Sequence, residues 1–182
     1  LFITMKKLIL SLLVAAFVGG NTLSAQTITK NEDGKYSLSV GHVTLTVDAQ
    51  KGGKIVSYRY DDKEILSQTK IPNSFGSTFW TSPQSEWNWP PVPEYDTKPF
   101  NAEVAGDKLI LTGEKSKRFG YRVRKELTTD KKDNAIVITY TIINESGETR
   151  KVAPWEISRV PNGGILFFDA KEVTPANNME TM

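Results

Sequence analysis

The feature that most constrains this chain is two-residue alternation repeated in short runs and broken by turn residues. YSLSV (Tyr36–Val40) and HVTLTVD (His42–Asp48) put apolar side chains at every second position, the period of a strand with one face buried. AQKGG then breaks the pattern, KIVSYRY (Lys54–Tyr60) resumes it, and Asp61-Asp62 marks a tight turn before KEIL. NAEVAGDKLILTGE holds two runs parted at Gly106-Asp107. YRVRKELTT (Tyr121–Thr129) and AIVITYTII (Ala135–Ile143) flank DKKDN, where Asn134 suits a hairpin connection. VAPWEISRV runs to Pro161-Asn162-Gly163-Gly164, and ILFFDA is the last strand candidate. Beyond the first 25 residues no segment sustains an i, i+3, i+4, i+7 pattern over three turns. Successive strands separated by turns predict an all-β fold, an antiparallel β-sandwich.

The amino terminus reads differently. Met5-Lys6-Lys7 precedes the apolar run Leu8–Val18, followed by GGNTLSAQ with small residues at Ser24 and Ala25. A charged start, a short apolar run and a small-residue exit describe a cleavable secretory signal peptide. The run falls short of the roughly 20 residues that span a bilayer. Leu1 to Thr4 read as sequence upstream of the start. Residues 1–25 are thus set apart from a single β-sandwich domain over 26–182, expected in the bacterial periplasm or outside the cell.

The chain has no cysteine, which excludes disulfides, thiolate metal sites and a lipid-anchored cysteine. No membrane anchor is expected after signal cleavage. Its 23 basic and 21 acidic residues differ by two, and Lys6 and Lys7 of the leader supply that excess. A neutral mature surface gives no electrostatic case for nucleic acid or for anionic membrane. The basic run KSKRFGYRVRK (Lys115–Lys125) reads as the solvated face of a hairpin.

Signatures of nucleophilic hydrolases, zinc proteases, P-loops and dinucleotide sites are absent. The single histidine, His42, stands at a strand start and reads as an edge residue. The unusual segment is FWTSPQSEWNWPPVPEYDTKPF (Phe79–Phe100), with three of the four tryptophans and five of the nine prolines. Trp offers a flat face that stacks on the C–H face of a sugar ring, and polar neighbours can bind hydroxyls. Trp80, Trp87 and Trp89 would form the stacking surface, with Gln84, Ser85, Glu86 and Asn88 as such neighbours. The prolines stiffen the loop and lower the entropy lost on binding. The competing reading makes the tryptophans a plug at the end of the sandwich.

A second group lies in APWEISR. In an extended strand Trp155, Ile157 and Arg159 share one face, while Glu156 and Ser158 share the other. Glu156, set between Trp155 and Ile157, is a candidate for a desolvated carboxyl with a raised pKa, fit for acid or base work. The competing reading is a structural carboxylate.

GGKIVSYRYDDKEIL (Gly52–Leu66) resembles the opening strands of the galactose-mutarotase-like (aldose 1-epimerase) superfamily. GSTFWTSPQSEWNWPP and VAPWEISRVPNGGILFF extend the resemblance to a bacterial branch of it, over about Tyr36 to Phe168. The resemblance implies a supersandwich with a sugar-facing concave side. Mutarotases of this kind use a histidine acid and a late glutamate base. No histidine follows His42 here, and Glu156 occupies a position comparable to the central histidine. Family members are longer, so the domain is expected to be incomplete at its carboxyl end. Two functions stand side by side. One is a sugar-binding protein acting on an anomeric centre, with Glu156 as acid/base, Arg159 orienting a hydroxyl, and no metal or organic cofactor. The other is a non-catalytic module, and both would bind carbohydrate in the cleft of Trp80, Gln84, Trp87, Trp89 and Trp155. An inactive fragment of a longer gene product is the third expectation.

Overall fold

The computed structural model describes residues 28–71 and 74–163. The leader, the ILFFDA strand candidate and the tail after it lie outside the described residues. Eleven strands are described: β1 (Ile28–Lys30), β2 (Tyr36–Val40), β3 (Val43–Asp48), β4 (Lys54–Tyr60), β5 (Lys63–Glu64), β6 (Ser77–Ser82), β7 (Asn101–Ala105), β8 (Lys108–Thr112), β9 (Tyr121–Asp130), β10 (Ala135–Asn144) and β11 (Ala153–Ser158). They form two antiparallel sheets. The first runs β1-β2-β3-β4-β6-β11, with β5 on β4; the second runs β10-β9-β8-β7. The all-β sandwich expected from the alternation is the observed fold.

Each sheet turns its alternate side chains towards the other. Leu38, Leu45, Val47, Ile55 and Phe79 of the first meet Leu109, Leu111, Tyr121, Val123 and Leu127 of the second in one core. The register is set by hairpins whose tips take left-handed backbone. Asp61, Gly106 and Asn134 all have positive φ, the conformation such tight turns require. On β10, Ile136, Ile138, Tyr140 and Ile142 are only half-buried. They lie on the edge strand of the smaller sheet, and among the described residues the sandwich is open there.

Two expectations are corrected. The tryptophan segment begins as a strand: β6 is an interior strand of the first sheet, pairing β4 at Ile55–Ser77 and β11 along its whole length. Five of its six residues are buried. A strand covered on both faces carries no polar alternation by which to recognise it. Second, the basic run is not wholly solvated. Lys125 is 3% exposed, because Tyr121, Val123, Lys125 and Leu127 form the inward set of β9 while Arg122, Arg124 and Glu126 face out.

After β6 the chain makes a 3-10 turn (Gln84–Glu86) and a single helical turn, α1 (Pro93–Asp96). Pro93 opens α1 at a position where a missing N–H costs nothing. The segment folds back over the first sheet, and its position is set by contact with Gly52. Gly52 N–H donates to the Lys98 carbonyl at 2.9 Å, and the Gly52 Cα faces the Asp96 carbonyl with no room for a side chain.

Candidate functional site

On β6 and β11, successive side chains face opposite sides of the first sheet. Phe79 points inward, stacked on Tyr140 of the second sheet at 4.7 Å. Its neighbours Thr78 and Trp80 therefore point outward. Across the strand pair Trp155 opposes Trp80, and Glu156 opposes Phe79. Trp155, Trp80, Thr78 and Arg159 thus share the outer face, whereas Glu156 and Ser158 face inward.

Trp80 is the hub of the outer face. Its ring meets those of Trp87, Trp89 and Trp155 edge-on at 5.8, 6.0 and 5.7 Å, the geometry that ring quadrupoles favour. Its Nε1 donates to Asp96 Oδ1 at 2.8 Å, which ties α1 to the sheet. Trp87 donates from Nε1 to the Thr81 carbonyl at 2.8 Å and is 3% exposed, whereas Trp89 is 69% exposed. Asn88, with φ of 57°, separates their fates, because a left-handed residue between them sends one ring in and the other out. Trp80 and Trp87 are therefore packing residues, as the plug reading has it, while Trp89 and half-buried Trp155 present ring surface. Gln84 is exposed on the 3-10 turn. Arg118 braces the loop from behind, 3.5 Å from the Trp87 carbonyl and 3.3 Å from that of Glu86. A pocket of about 230 Å³ lies between Trp89, Pro90, Pro91, Glu94, Arg118 and Phe119.

Beside the tryptophans stand two charges, Arg159, singled out in the sequence, and Lys54, which was not. Arg159 is half-buried, donates to Thr78 Oγ1 at 3.2 Å and lies 5.9 Å from the Trp80 ring. Burial lowers its pKa, and the nearby Asp96 and Glu156 carboxylates oppose that shift. Lys54 immediately precedes Ile55, which faces the space between the sheets, so Lys54 belongs to the outer face. It is 5% exposed, with its ammonium 4.1 Å from the Phe75 ring. Burial, then Arg159, depresses its pKa.

The inner face holds a different site. A cleft of about 460 Å³ opens between the sheets, walled by Leu45, Ile55, Ile138 and Tyr140, with Ser77, Glu156 and Ser158 at its polar end. Lost solvation raises the Glu156 pKa, against opposing effects of Ser158, Lys125 and Arg159. Ser158 Oγ lies 3.3 Å from Glu156 Oε2 and 3.2 Å from Ser77 Oγ. The residue is still solvent-exposed, so water screens these charges. Lys125 lies deeper. Its Nζ donates to the carbonyls of Gly52 and Gly53 at 2.7 and 2.9 Å, among the rings of Phe79, Phe100 and Tyr140. Burial pushes its pKa down to about 7, against the attraction of Glu156 and Asp96. A neutral amine has two N–H groups, and both find an acceptor here.

The structure thus gathers Trp80, Trp87, Trp89, Trp155 and Arg159 on one face and sets Glu156 on the other. Lys54, Thr78, Asp96 and Lys125 were not legible as site residues. The one available signal was the position of Lys125 in the inward register of β9.

No protein-family model matches the chain, and no curated protein matches it. Among solved structures the fold is similar to 4-alpha-glucanotransferase from Thermococcus litoralis, with a TM-score of 0.41 and 15% identity. The match covers 63% of this chain and 23% of that one, so this chain spans about a quarter of that protein's length. A likeness this slight decides nothing about function.

Proposed function

We propose that the protein is an exported carbohydrate-binding protein, built on a sandwich of the mutarotase-like kind, that takes sugar on the outer tryptophan face of its first sheet. The observation that carries the reading is Trp89, 69% exposed yet held edge-on to Trp80 at 6.0 Å. A large apolar face shown to solvent in a fixed orientation is what stacking on a sugar requires, with little entropy left to lose. Trp155 extends the surface, and the amide of Gln84 and the guanidinium of Arg159 supply polar contacts. Titrating a panel of mono- and oligosaccharides while following tryptophan emission tests this, and a folded protein silent across the panel would refute it. Trp89→Ala is expected to weaken binding about tenfold, by analogy with the roughly 1–3 kcal/mol that one aromatic side chain contributes when a nucleobase stacks on it. Unfolding free energy should stay within about 0.5 kcal/mol of wild type, as for other exposed side chains.

A second reading is favoured by one observation, the raised pKa of Glu156 at the polar end of the inner cleft. There it would exchange protons at an anomeric centre. The mostly apolar walls offer a sugar few hydroxyl partners, and the tryptophan face lies across the sheet. Glu156→Gln is accordingly expected to leave the sugar titration unchanged. Anomer exchange followed by NMR separates the readings: a rate that the protein accelerates and Glu156→Gln abolishes would place chemistry in the cleft.

A further inference from the structure

We propose that the sugar taken on the tryptophan face is acidic, a uronate whose ring lies on Trp89 and Trp155 and whose carboxylate is held between Lys54 and Arg159. The inference rests on the carbohydrate reading of that face and names its substrate class. Lys54 is the observation that demands a partner. A lysine 5% exposed is seldom left unpaired, yet among the described residues its ammonium has no hydrogen bond or ion pair, only the Phe75 ring 4.1 Å away. Arg159 spends one donor on Thr78 Oγ1 at 3.2 Å, which leaves most of its planar fork to donate to a carboxylate bidentately.

The other charges that act on Lys54 are Asp96, Arg159 and Lys51. Lys51 is solvated, and Asp96 is committed to the Trp80 indole at 2.8 Å. Asp96 and, from the inner face, Glu156 oppose the charge of these two cations. Among the described residues neither carboxylate bonds directly to Lys54 or to Arg159, whose one side-chain hydrogen bond goes to Thr78, so a ligand carboxylate would be their first direct anionic partner. Trp80 carries the geometry from charge to platform, since its ring is 5.9 Å from the Arg159 guanidinium, 6.0 Å from Trp89 and 5.7 Å from Trp155. An anion entering this site also removes the mutual repulsion of Lys54 and Arg159, an interaction a neutral sugar cannot make.

The test uses di- and trisaccharide uronates, each paired with its methyl ester, in calorimetric titrations at low salt. The ester keeps the ring and removes the charge. The acids are expected to bind at least tenfold tighter than their esters. That advantage should shrink to less than twofold in Lys54→Met and in Arg159→Met, while Trp89→Ala weakens acid and ester alike. Should Lys54→Met fail to fold, the acid–ester comparison in wild type and Arg159→Met still decides the matter. Equal affinity for acid and ester would overturn the acidic-sugar assignment and leave carbohydrate binding standing. Binding of neutral sugars with none of uronates would do the same. Silence towards acids, esters and neutral sugars would sink both.

Discussion

Gly52→Ala is expected to cost the protein about 2–4 kcal/mol of stability, from a left-handed backbone penalty of about 1 kcal/mol and overpacking of about 1–3 kcal/mol. Gly52 has φ of +64°, and a Cβ there would stand 2.2 Å from the Asp96 carbonyl oxygen and 2.9 Å from that of Tyr95. Both obstacles are backbone, so neither can swing aside as a side chain would. The damage should also reach the outer face. Pushing α1 away draws Asp96 from the Trp80 indole, the bond that seats the hub of the tryptophan cluster. Denaturant unfolding measures the first effect, and sugar affinity under folding conditions measures the second. Gly106→Ala is the control: its φ is +63° but nothing lies within 4 Å, so only the backbone penalty of about 1 kcal/mol applies. Equal losses in the two variants would contradict the packing account.

Lys125→Met is expected to change the pH dependence of stability. The folded pKa of Lys125 is about 7, below the ordinary 10.5, so between those values the unfolded chain holds the extra proton. Stability must then rise with pH across that window, by on the order of 1 kcal/mol per unit at most. Below about pH 7 both states are protonated and the slope vanishes. Met keeps the volume but has neither charge nor N–H, so the climb should be absent. Near pH 9 the variant should lie about 3 kcal/mol below wild type, since the Gly52 and Gly53 carbonyls lose their donor. Urea midpoints at pH 6, 8 and 9.5 check this. Parallel profiles for the two proteins would mean that Lys125 is charged throughout.

The fold was largely legible because most strands bury one face. β2, β3, β8 and β9 show the alternation residue by residue, and the hairpin tips carry Asp61, Gly106 and Asn134 where left-handed backbone is needed. β6 escaped because Ser77–Thr81 is buried on both sides. The candidate site was legible in part. Its tryptophans are conspicuous, but their division into packing and display depends on Asn88 and on the hydrogen bond from Trp87 to Thr81. The alternation of APWEISR placed Glu156 and Arg159 on opposite faces, which is what the strand does. Lys54 and Asp96 are 42 positions apart in sequence and meet through the Gly52 contact, a long-range event that no local pattern encodes.

On the proposed reading, sugar occupies the outer tryptophan face and leaves the inner cleft empty. Indole N–H resonances in a two-dimensional NMR titration test it most directly, because each of the four tryptophans reports separately. At saturation the Trp89 and Trp155 signals should move most, the signal of the Trp87 indole, bonded to Thr81, should stay nearly still, and the backbone amides of Ile138 and Tyr140 in the same spectrum should not respond. Shifts confined to Ile138, Tyr140 and Ser158, with the Trp89 indole unmoved, would contradict the account and place the ligand between the sheets.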